Sequence, residues 1–142
     1  MKIQMVMLGK TRRAECRAML DDYVARIRRY AEIELQELRE DSAALKKLQF
    51  PSGATVVLLD AAGKQHTSTE FARWLGRERD RGIRDVIFLC GGAEGFPDAL
   101  RTRVNAKISL SSLTMPHELA RVMLAEQIYR GFAILAGHPY PK

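Results

Sequence analysis

Residues 86–95 have the sequence VIFLCGGAEG, in which five apolar residues run directly into two adjacent glycines. A second short apolar run, TVVLLD, occupies residues 55–60. Apolar runs of this length, without alternating polar residues, are typical of strands that are buried on both faces of a parallel sheet. The two stretches therefore predict two central strands of an α/β fold.

The sequence on either side of these runs supplies the remaining elements of the predicted fold. Further strands are predicted over residues 2–8 and 32–38, with an extended segment over 107–113. Helices are predicted over residues 12–31, 67–81, 97–105 and 116–136, and a loop or short helix over 39–49. Strands that alternate with helices predict an α/β sandwich with a mostly parallel sheet, formed by residues 1–142 as a single domain.

The ligand site is expected at the carboxyl ends of the strands, because open α/β sheets bind ligands there. Those ends carry Leu59, Asp60 and the glycine loop 91–95. Paired glycines allow a backbone to approach a ligand closely, although a tight turn alone can also require them. The loop lacks the spacing of a dinucleotide fingerprint and of a P-loop. The pattern predicts a binding loop without assigning its ligand.

Positive charge is concentrated in two parts of the chain, which has a net charge of +6 at pH 7. Residues 1–31 contain eight basic and three acidic residues, and residues 73–84 contain five arginines and two acidic residues. Such patches favour a polyanionic partner, although a solvated helix face would also explain them. Arg12, Arg13 and the arginines of residues 73–84 are the candidate contacts to such a partner, for which a nucleic acid is one candidate.

Several classes of site and location are disfavoured by the sequence. Cys16 and Cys90 give neither a disulfide framework nor a metal-binding spacing, and His66, His117 and His138 lie in separate segments. No apolar run approaches the roughly 18 residues of a membrane span, and the first residues do not resemble a signal peptide. We therefore expect a reduced, cytoplasmic protein with no metal and no membrane contact.

The last predicted helix and the residues after it carry a second group of candidate functional residues. Glu126 and Arg130 are four residues apart, a spacing that also suits an ordinary helix-stabilising ion pair. His138 and Tyr140 follow Gly137, the predicted end of the helix, where His138 could equally serve as a cap.

Four segments of the chain, taken in order, resemble one known family. They are LLDAAGK at 58–64, FLCGGAEG at 88–95, ISLSSLTMPHELARVMLAEQIYR at 108–130 and HPY at 138–140. Together they resemble the ribosomal large-subunit RNA methyltransferase H family of small SPOUT-class enzymes, from Met1 to Tyr140. The chain departs from that family by being short around residues 39–53, by having Ala93 where proline is usual, and by ending in HPYPK.

The resemblance implies a SPOUT fold with a deep C-terminal trefoil knot, a homodimer, and S-adenosylmethionine as cofactor. It implies methylation of N3 of a pseudouridine in helix 69 of 23S rRNA, so the contacts expected of Arg12, Arg13 and the arginines of residues 73–84 are to RNA, and no DNA partner is expected. The small size of the chain favours the assembled ribosome as substrate, although the sequence does not decide between it and bare RNA. By motif, the cofactor-binding residues are Leu59, Gly91, Leu110, Ser111, Ser112, Leu113, Thr114 and Met115. The catalytic candidates are Glu126, Arg130, His138 and Tyr140, among which the sequence does not choose.

Two alternative functions and one argument about assembly also follow from the sequence. The altered tail is compatible with a catalytically silent RNA-binding module on the same scaffold, and the glycine loop with a small nucleotide-binding enzyme. A homodimer is further expected because apolar residues surround more than one side of the last helix. These residues are Val122, Met123, Ile128, Phe132 and Leu135.

Overall fold

The computed structural model describes residues 1–40, 42–92 and 95–141. In these ranges the strands are β1 Lys2–Leu8, β2 Glu32–Leu38, β3 Thr55–Gln65, β4 Asp85–Cys90 and β5 Ala106–Ser109. The helices are α1 Ala14–Ile27, α2 Ser42–Lys46, α3 Ser68–Asp80, α4 Asp98–Arg101 and α5 His117–Leu135. The predicted alternation of strands and helices is confirmed.

The five strands form one sheet in the order β2-β1-β4-β3-β5, and every neighbouring pair is parallel. Side chains of successive strand residues point to opposite faces of this sheet. In β4, Phe88 and Cys90 face α1, α3 and α5, whereas Ile87 and Leu89 face α2 and α4. Burial on both faces explains why the central strands have continuous apolar sequences.

Helix α3 begins as its sequence predicts. The Thr67 hydroxyl accepts a hydrogen bond from the Glu70 backbone N–H at 3.1 Å, and the Glu70 carboxylate accepts one from the Thr67 N–H at 2.9 Å. This capping box satisfies two backbone donors that the first helical turn leaves unpaired. Gly82 follows the helix with φ of +79°, a conformation that glycine adopts without strain.

Several predicted boundaries differ from the structure. Helices α1 and α4 are shorter than predicted, and β5 occupies only the first part of the extended segment 107–113. Strand β3 is longer than predicted, because Ile108 pairs first with Leu59 and then with Lys64. A side chain on Gly63 would place its Cβ 2.7 Å from the Ile108 backbone nitrogen, so the residues between the two pairings require glycine there.

The apolar residues around α5 do not by themselves require a partner chain, which corrects that part of the dimer argument. Val122, Ile128 and Phe132 are all buried within one chain, because α5 packs against both α1 and α3. Met123 and Leu135 are partly buried. The wide apolar surface of α5 is therefore explained by two intramolecular neighbours.

Candidate active site

A cavity of about 260 Å³ lies at the carboxyl ends of β4 and β5, beside the point at which β3 separates from β4. This is the edge of the sheet where the strand order predicts a ligand site. Its described lining consists of Leu59, Asp60, Ala61, Cys90, Gly91, Gly92, Gly95, Ser109, Leu110, Ser111, Leu113, Thr114, Met115, His117 and Ala120.

The glycine loop forms one wall of the cavity and folds back on itself. The Gly95 N–H donates to the Gly92 carbonyl at 3.0 Å, and Gly95 has φ of +79°. A Cβ on Gly91 would lie 2.7 Å from the carbonyl carbon of Gly95. Ala93 and Glu94, which belong to the family motif, lie outside the described residues. A side chain at Gly91 would thus collide with the loop itself before it met a ligand.

The structure brings together most of the residues that the motifs assign to the cofactor. Seven of the eight line the cavity, whereas Ser112 is exposed and is not part of the lining. Ser111 orients this segment, because its hydroxyl accepts a hydrogen bond from the Leu113 N–H at 2.9 Å. The carbonyl of Ser111 in turn accepts a hydrogen bond from the Ser109 hydroxyl at 3.0 Å.

Asp60 is a cavity residue that the motif-based assignment omits. Its carboxylate accepts a hydrogen bond from the Ala62 N–H at 3.0 Å and forms an ion pair with Arg101. The Ala62 and Arg101 contacts hold the pKa of Asp60 below its usual value, so the carboxylate is charged at neutral pH. The sequence feature that indicates Asp60 is its position directly after Leu59, at the end of the apolar run of residues 55–60.

Cys90 also lines the cavity, but its chemistry is that of a packed side chain. The thiol is 2% exposed, and burial raises its pKa to about 12. Nucleophilic cysteines are those whose thiolate is stabilised, which is the opposite shift. The low exposure of Cys90 and the raised pKa of its thiol therefore indicate a packing role rather than a nucleophilic one.

The second group of candidate residues forms a cluster at the other end of α5. The Glu126 carboxylate is 2.7 Å from Nη2 of Arg130 and accepts a hydrogen bond from the Tyr140 hydroxyl at 2.9 Å. Arg130 also donates to the Pro141 carbonyl at 3.0 Å. The Tyr140 ring lies 4.5 Å from that of Tyr129 in an edge-to-face arrangement. The tail thus folds back onto α5, and the ion pair expected from the spacing is present.

Burial and hydrogen bonding shift the protonation of this cluster. Burial of Tyr140, followed by its hydrogen bonds with Tyr23 and Glu126, raises the pKa of its hydroxyl. The hydrogen bond to Glu126 raises the pKa of Arg130. At neutral pH, Tyr140 is therefore a hydrogen-bond donor and Arg130 is a cation.

His138 is placed differently from the other three candidates. Its backbone N–H donates to the Ala133 carbonyl at 2.8 Å, and Gly137 has φ of +71°, which together form a Schellman-type helix end. The residue is exposed, and within the described ranges its imidazole makes no hydrogen bond or ion pair. The capping role is present, and the side chain remains accessible.

The cavity and the cluster at the end of the chain do not meet within one chain. Ala120 lines the cavity, and Glu126 and Arg130 follow it by six and ten residues on the same helix, which is about 9 and 15 Å along the axis. The cavity is therefore at the amino end of α5, whereas Glu126 and Arg130 are nearer its carboxyl end.

The two basic patches also lie at different edges of the sheet. Arg12 and Arg13 are exposed in the loop that follows the carboxyl end of β1. Arg81 and Arg84 instead flank the start of β4, where the Arg84 carbonyl accepts a hydrogen bond from the Lys2 N–H at 2.7 Å. Arg12 and Arg13 are therefore on the edge of the sheet that carries the cavity, whereas Arg81 and Arg84 are on the opposite edge.

The described part of the chain has neither a cluster of metal-binding side chains nor a membrane-spanning helix. No group of three or more histidine, cysteine, aspartate or glutamate side chains could hold a metal ion there. None of the described helices is long and apolar enough to cross a membrane.

Comparisons with known proteins agree with the fold and with the motifs. Residues 1–141 match the family model described as "Predicted SPOUT methyltransferase". The chain is 43% identical to the ribosomal RNA large subunit methyltransferase H of Geobacter sp. (strain M21), over 99% of this chain and 98% of that protein. It is 41% identical to the protein of the same name from Geotalea daltonii, over 99% of each.

A solved structure adds evidence for the fold. A probable methylase family protein from Haemophilus influenzae Rd KW20 superimposes with a TM-score of 0.55, at 8% identity, over 99% of this chain and 70% of that one. At such low identity, the structural similarity supports the fold alone and gives no information about the substrate. The family match and the full-length relatives show that this chain belongs to the SPOUT methyltransferase family.

Proposed function

We propose that this protein is an S-adenosylmethionine-dependent methyltransferase that modifies N3 of a pseudouridine in helix 69 of 23S rRNA on the assembled ribosome, in the cytoplasm. The observation that carries the proposal is the cavity, which gathers seven of the eight motif-assigned residues at one edge of the sheet. Full-length relatives named ribosomal RNA large subunit methyltransferase H support the choice of substrate.

The chemistry of the cavity fits this cofactor. Leu59, Leu110 and Met115 supply apolar surface for an adenine ring, and a Cβ at Gly91 would be blocked, so only backbone lines that wall. The charged carboxylate of Asp60 can accept a hydrogen bond from a ribose hydroxyl or an ammonium group. The cofactor would supply a methyl group on a sulfonium, which needs no metal.

The cluster of Glu126, Arg130 and Tyr140 would act on the acceptor base. Methylation of a ring N–H requires that its proton leave, and positive charge nearby stabilises the anion that develops. Arg130 supplies that charge, and Glu126 fixes its orientation. Tyr140 remains protonated and donates a hydrogen bond. His138 is exposed, so its imidazole is accessible and could act as the proton acceptor.

A homodimer would complete the site. Within one chain the cavity lacks the cluster of Glu126, Arg130 and Tyr140, so a second copy would bring these residues to the cofactor. Met19 and Leu119 expose 49% and 40% of their surface and provide apolar area for such a contact. Sedimentation at micromolar concentration should return a dimer, and a species of monomer mass would contradict this assembly.

We further propose that this single domain of 142 residues has its C-terminal segment threaded as a trefoil knot.

The decisive experiment supplies labelled S-adenosylmethionine and ribosomes from cells that lack this protein, with free 23S RNA in a parallel reaction. Label should appear in the RNA of the ribosome at the helix 69 pseudouridine, and more slowly or not at all in free RNA. Ribosome binding without label would instead indicate a silent RNA-binding module. Failure to bind the cofactor, measured by calorimetry, would contradict a methyltransferase altogether.

A further inference from the structure

Arg121 is a fully buried arginine that the proposed chemistry does not use. It exposes 0% of its surface, and its guanidinium donates to the Leu8 carbonyl at 2.6 Å and to the Thr11 hydroxyl at 2.8 Å. The Glu37 carboxylate lies 3.9 Å away. Burying a charge is costly unless it is paired and hydrogen-bonded, so these contacts with the end of β1, with Thr11 and with β2 are what make the burial tolerable.

Two carboxylates hold the same segment. Glu37 accepts a hydrogen bond from the Thr11 N–H and forms an ion pair with Arg17. Glu118, in the first turn of α5, accepts a hydrogen bond from the Arg13 N–H at 2.9 Å. The loop between β1 and α1 is thus attached to β2 and to α5 through its backbone and the Thr11 hydroxyl.

This attachment leaves the basic side chains of the loop outside. Lys10, Arg12 and Arg13 are exposed, and within the described ranges their side chains form no hydrogen bond or ion pair. The neighbouring carboxylates of Glu37 and Glu118 are already occupied by internal donors. We call residues Lys10–Arg13 the basic loop.

Gly9, directly before the basic loop, and Gly92 of the glycine loop lie on either side of the Glu40 carboxylate. A Cβ on Gly9 would lie 2.8 Å from Oε1 of Glu40, and a Cβ on Gly92 would lie 2.6 Å from its carboxyl carbon. Strand pairing agrees, because Met7 of β1 is opposite Cys90 of β4. A polyanion bound to the basic loop would therefore lie next to the proposed methyl donor.

From this arrangement we infer that Arg121 is a positioning residue, which holds the basic loop as a preformed docking site for RNA phosphate groups beside the cavity. The inference rests on the proposed function and adds to it the place and the means of RNA binding. A loop that is already ordered loses less conformational entropy when it binds, and each phosphate neutralised by Lys or Arg releases counterions. Arg121 acts through the loop and touches no RNA.

The test measures binding of the dimeric full-length protein to ribosomes from cells that lack it, across a series of KCl concentrations. Replacing both Arg12 and Arg13 by Ala should weaken binding at least about tenfold and reduce the salt slope by one to two. Arg121→Gln should weaken binding by a similar factor. Adding it to the double Ala variant should cost little more, because both changes act on one loop.

Controls separate this role from a purely structural one. Arg79→Ala with Arg81→Ala removes the same charge at the other edge of the sheet and should change binding less than threefold. The S-adenosylmethionine affinity of every variant should stay within twofold of the parent. Glu118→Gln, which perturbs the attachment of the loop backbone to the first turn of α5, provides a milder variant if Arg121→Gln does not fold.

The possible outcomes are distinct. If folded Arg121→Gln and Glu118→Gln bind ribosomes with the parent salt slope, Arg121 serves stability alone and the inference is overturned. Equal losses from the Arg79 and Arg81 pair would overturn the location of the docking site. If the parent protein binds cofactor but not ribosomes, the proposed RNA substrate is wrong, and the inference fails with it. If the parent and the loop variants bind ribosomes equally well, only the inference is overturned.

Discussion

The two ends of α5 differ in burial and in how their side chains are held. At its amino end, His117 and Ala120 line the cavity, and Glu118 and Arg121 are buried in contacts with the β1–α1 segment. At its carboxyl end, Arg130 is partly exposed and is held by Glu126 and by the returning tail. The cavity at the amino end is lined by residues of one chain. The polar cluster at the carboxyl end is partly exposed and is therefore accessible to a second chain.

The largest effect is expected from removing the tail after Gly137, whose residues 138–141 pack against the carboxyl end of α5. Truncation after Gly137 should lower single-turnover methyl transfer to ribosomes at least about a hundredfold, the usual contribution of positioned proton-transfer groups. Cofactor affinity, measured by calorimetry, should change less than twofold because the cavity is at the other end of α5. Loss of the Tyr129–Tyr140 ring contact should cost only about 1 kcal/mol in stability.

Melting temperature and methylation must be measured on the same truncated protein. Tyr140→Phe is the matched variant, since it keeps the ring but removes the hydroxyl that donates to Glu126. A folded truncation that methylates at the parent rate would remove His138 and Tyr140 from the mechanism. A protein that loses structure first would instead assign the tail to helix capping and packing.

Much of the fold could be predicted because its signals are local. Buried strands such as 86–90 need apolar residues on both faces, and the Thr67 capping box is satisfied within four residues. The extension of β3 could not be predicted, because it depends on pairing Lys64 with Ile108 across a register shift. A register shift between two distant segments leaves no periodic pattern in the sequence of either segment.

The site shows the same limit. The motifs predicted seven residues of the cavity lining, but Ser112 lies outside it. The turn at Ser111 and Leu113 decides which side chains of this segment face the cavity. Arg121 gave no signal, since its partner Leu8 is 113 residues away and an arginine on a helix is usually exposed. The tail cluster likewise joins Glu126 to Tyr140 through a chain reversal that spacing alone does not reveal.

The amino end can be tested by filling the cavity. Ala120→Phe should reduce S-adenosylmethionine affinity at least about tenfold, because the new ring would occupy space that the ligand needs. Ribosome binding should remain close to that of the parent. This substitution is a cleaner test than Gly91→Val, which would deform the glycine loop through the contact with Gly95.

Ala18→Phe on the exposed side of α1 is the matched control, since it adds the same ring away from the cavity. Its cofactor affinity should equal that of the parent. Unchanged affinity in a folded Ala120→Phe protein would show that the cofactor binds elsewhere.

The reactivity of Cys90 gives a further test of the cavity environment at the amino end of α5. Because the pKa of Cys90 is raised to about 12, almost no thiolate is present at pH 8.5, and iodoacetamide should label it at least about tenfold more slowly than the partly exposed Cys16. Peptide mass spectrometry of a labelling time course gives both rates. Labelling of Cys90 at the rate of Cys16 in the folded protein would contradict this buried, protonated environment.

The smallest expected effect concerns the pH dependence of the amino end of α5. The hydrogen bond from the Arg13 N–H lowers the pKa of Glu118, so the folded protein binds this proton less readily than the unfolded chain, in which a glutamate has a pKa of about 4.3. The stabilisation is therefore complete above that value and is lost as the pH falls through the lower pKa of the folded state. Glu118→Gln should reduce stability by up to about 1 kcal/mol at pH 6, and the difference should narrow towards pH 3.

Urea unfolding of both proteins at several pH values measures this difference. Glu15→Gln is the matched control, because Glu15 is an exposed first-turn residue of α1 and reports the helix-dipole contribution alone. A difference between the parent and Glu118→Gln that stays constant from pH 6 to pH 3 would show that the charge of Glu118 does not stabilise the fold. A difference that narrows for Glu118→Gln but not for Glu15→Gln would show that the charged carboxylate of Glu118 attaches the loop to α5 through the Arg13 N–H.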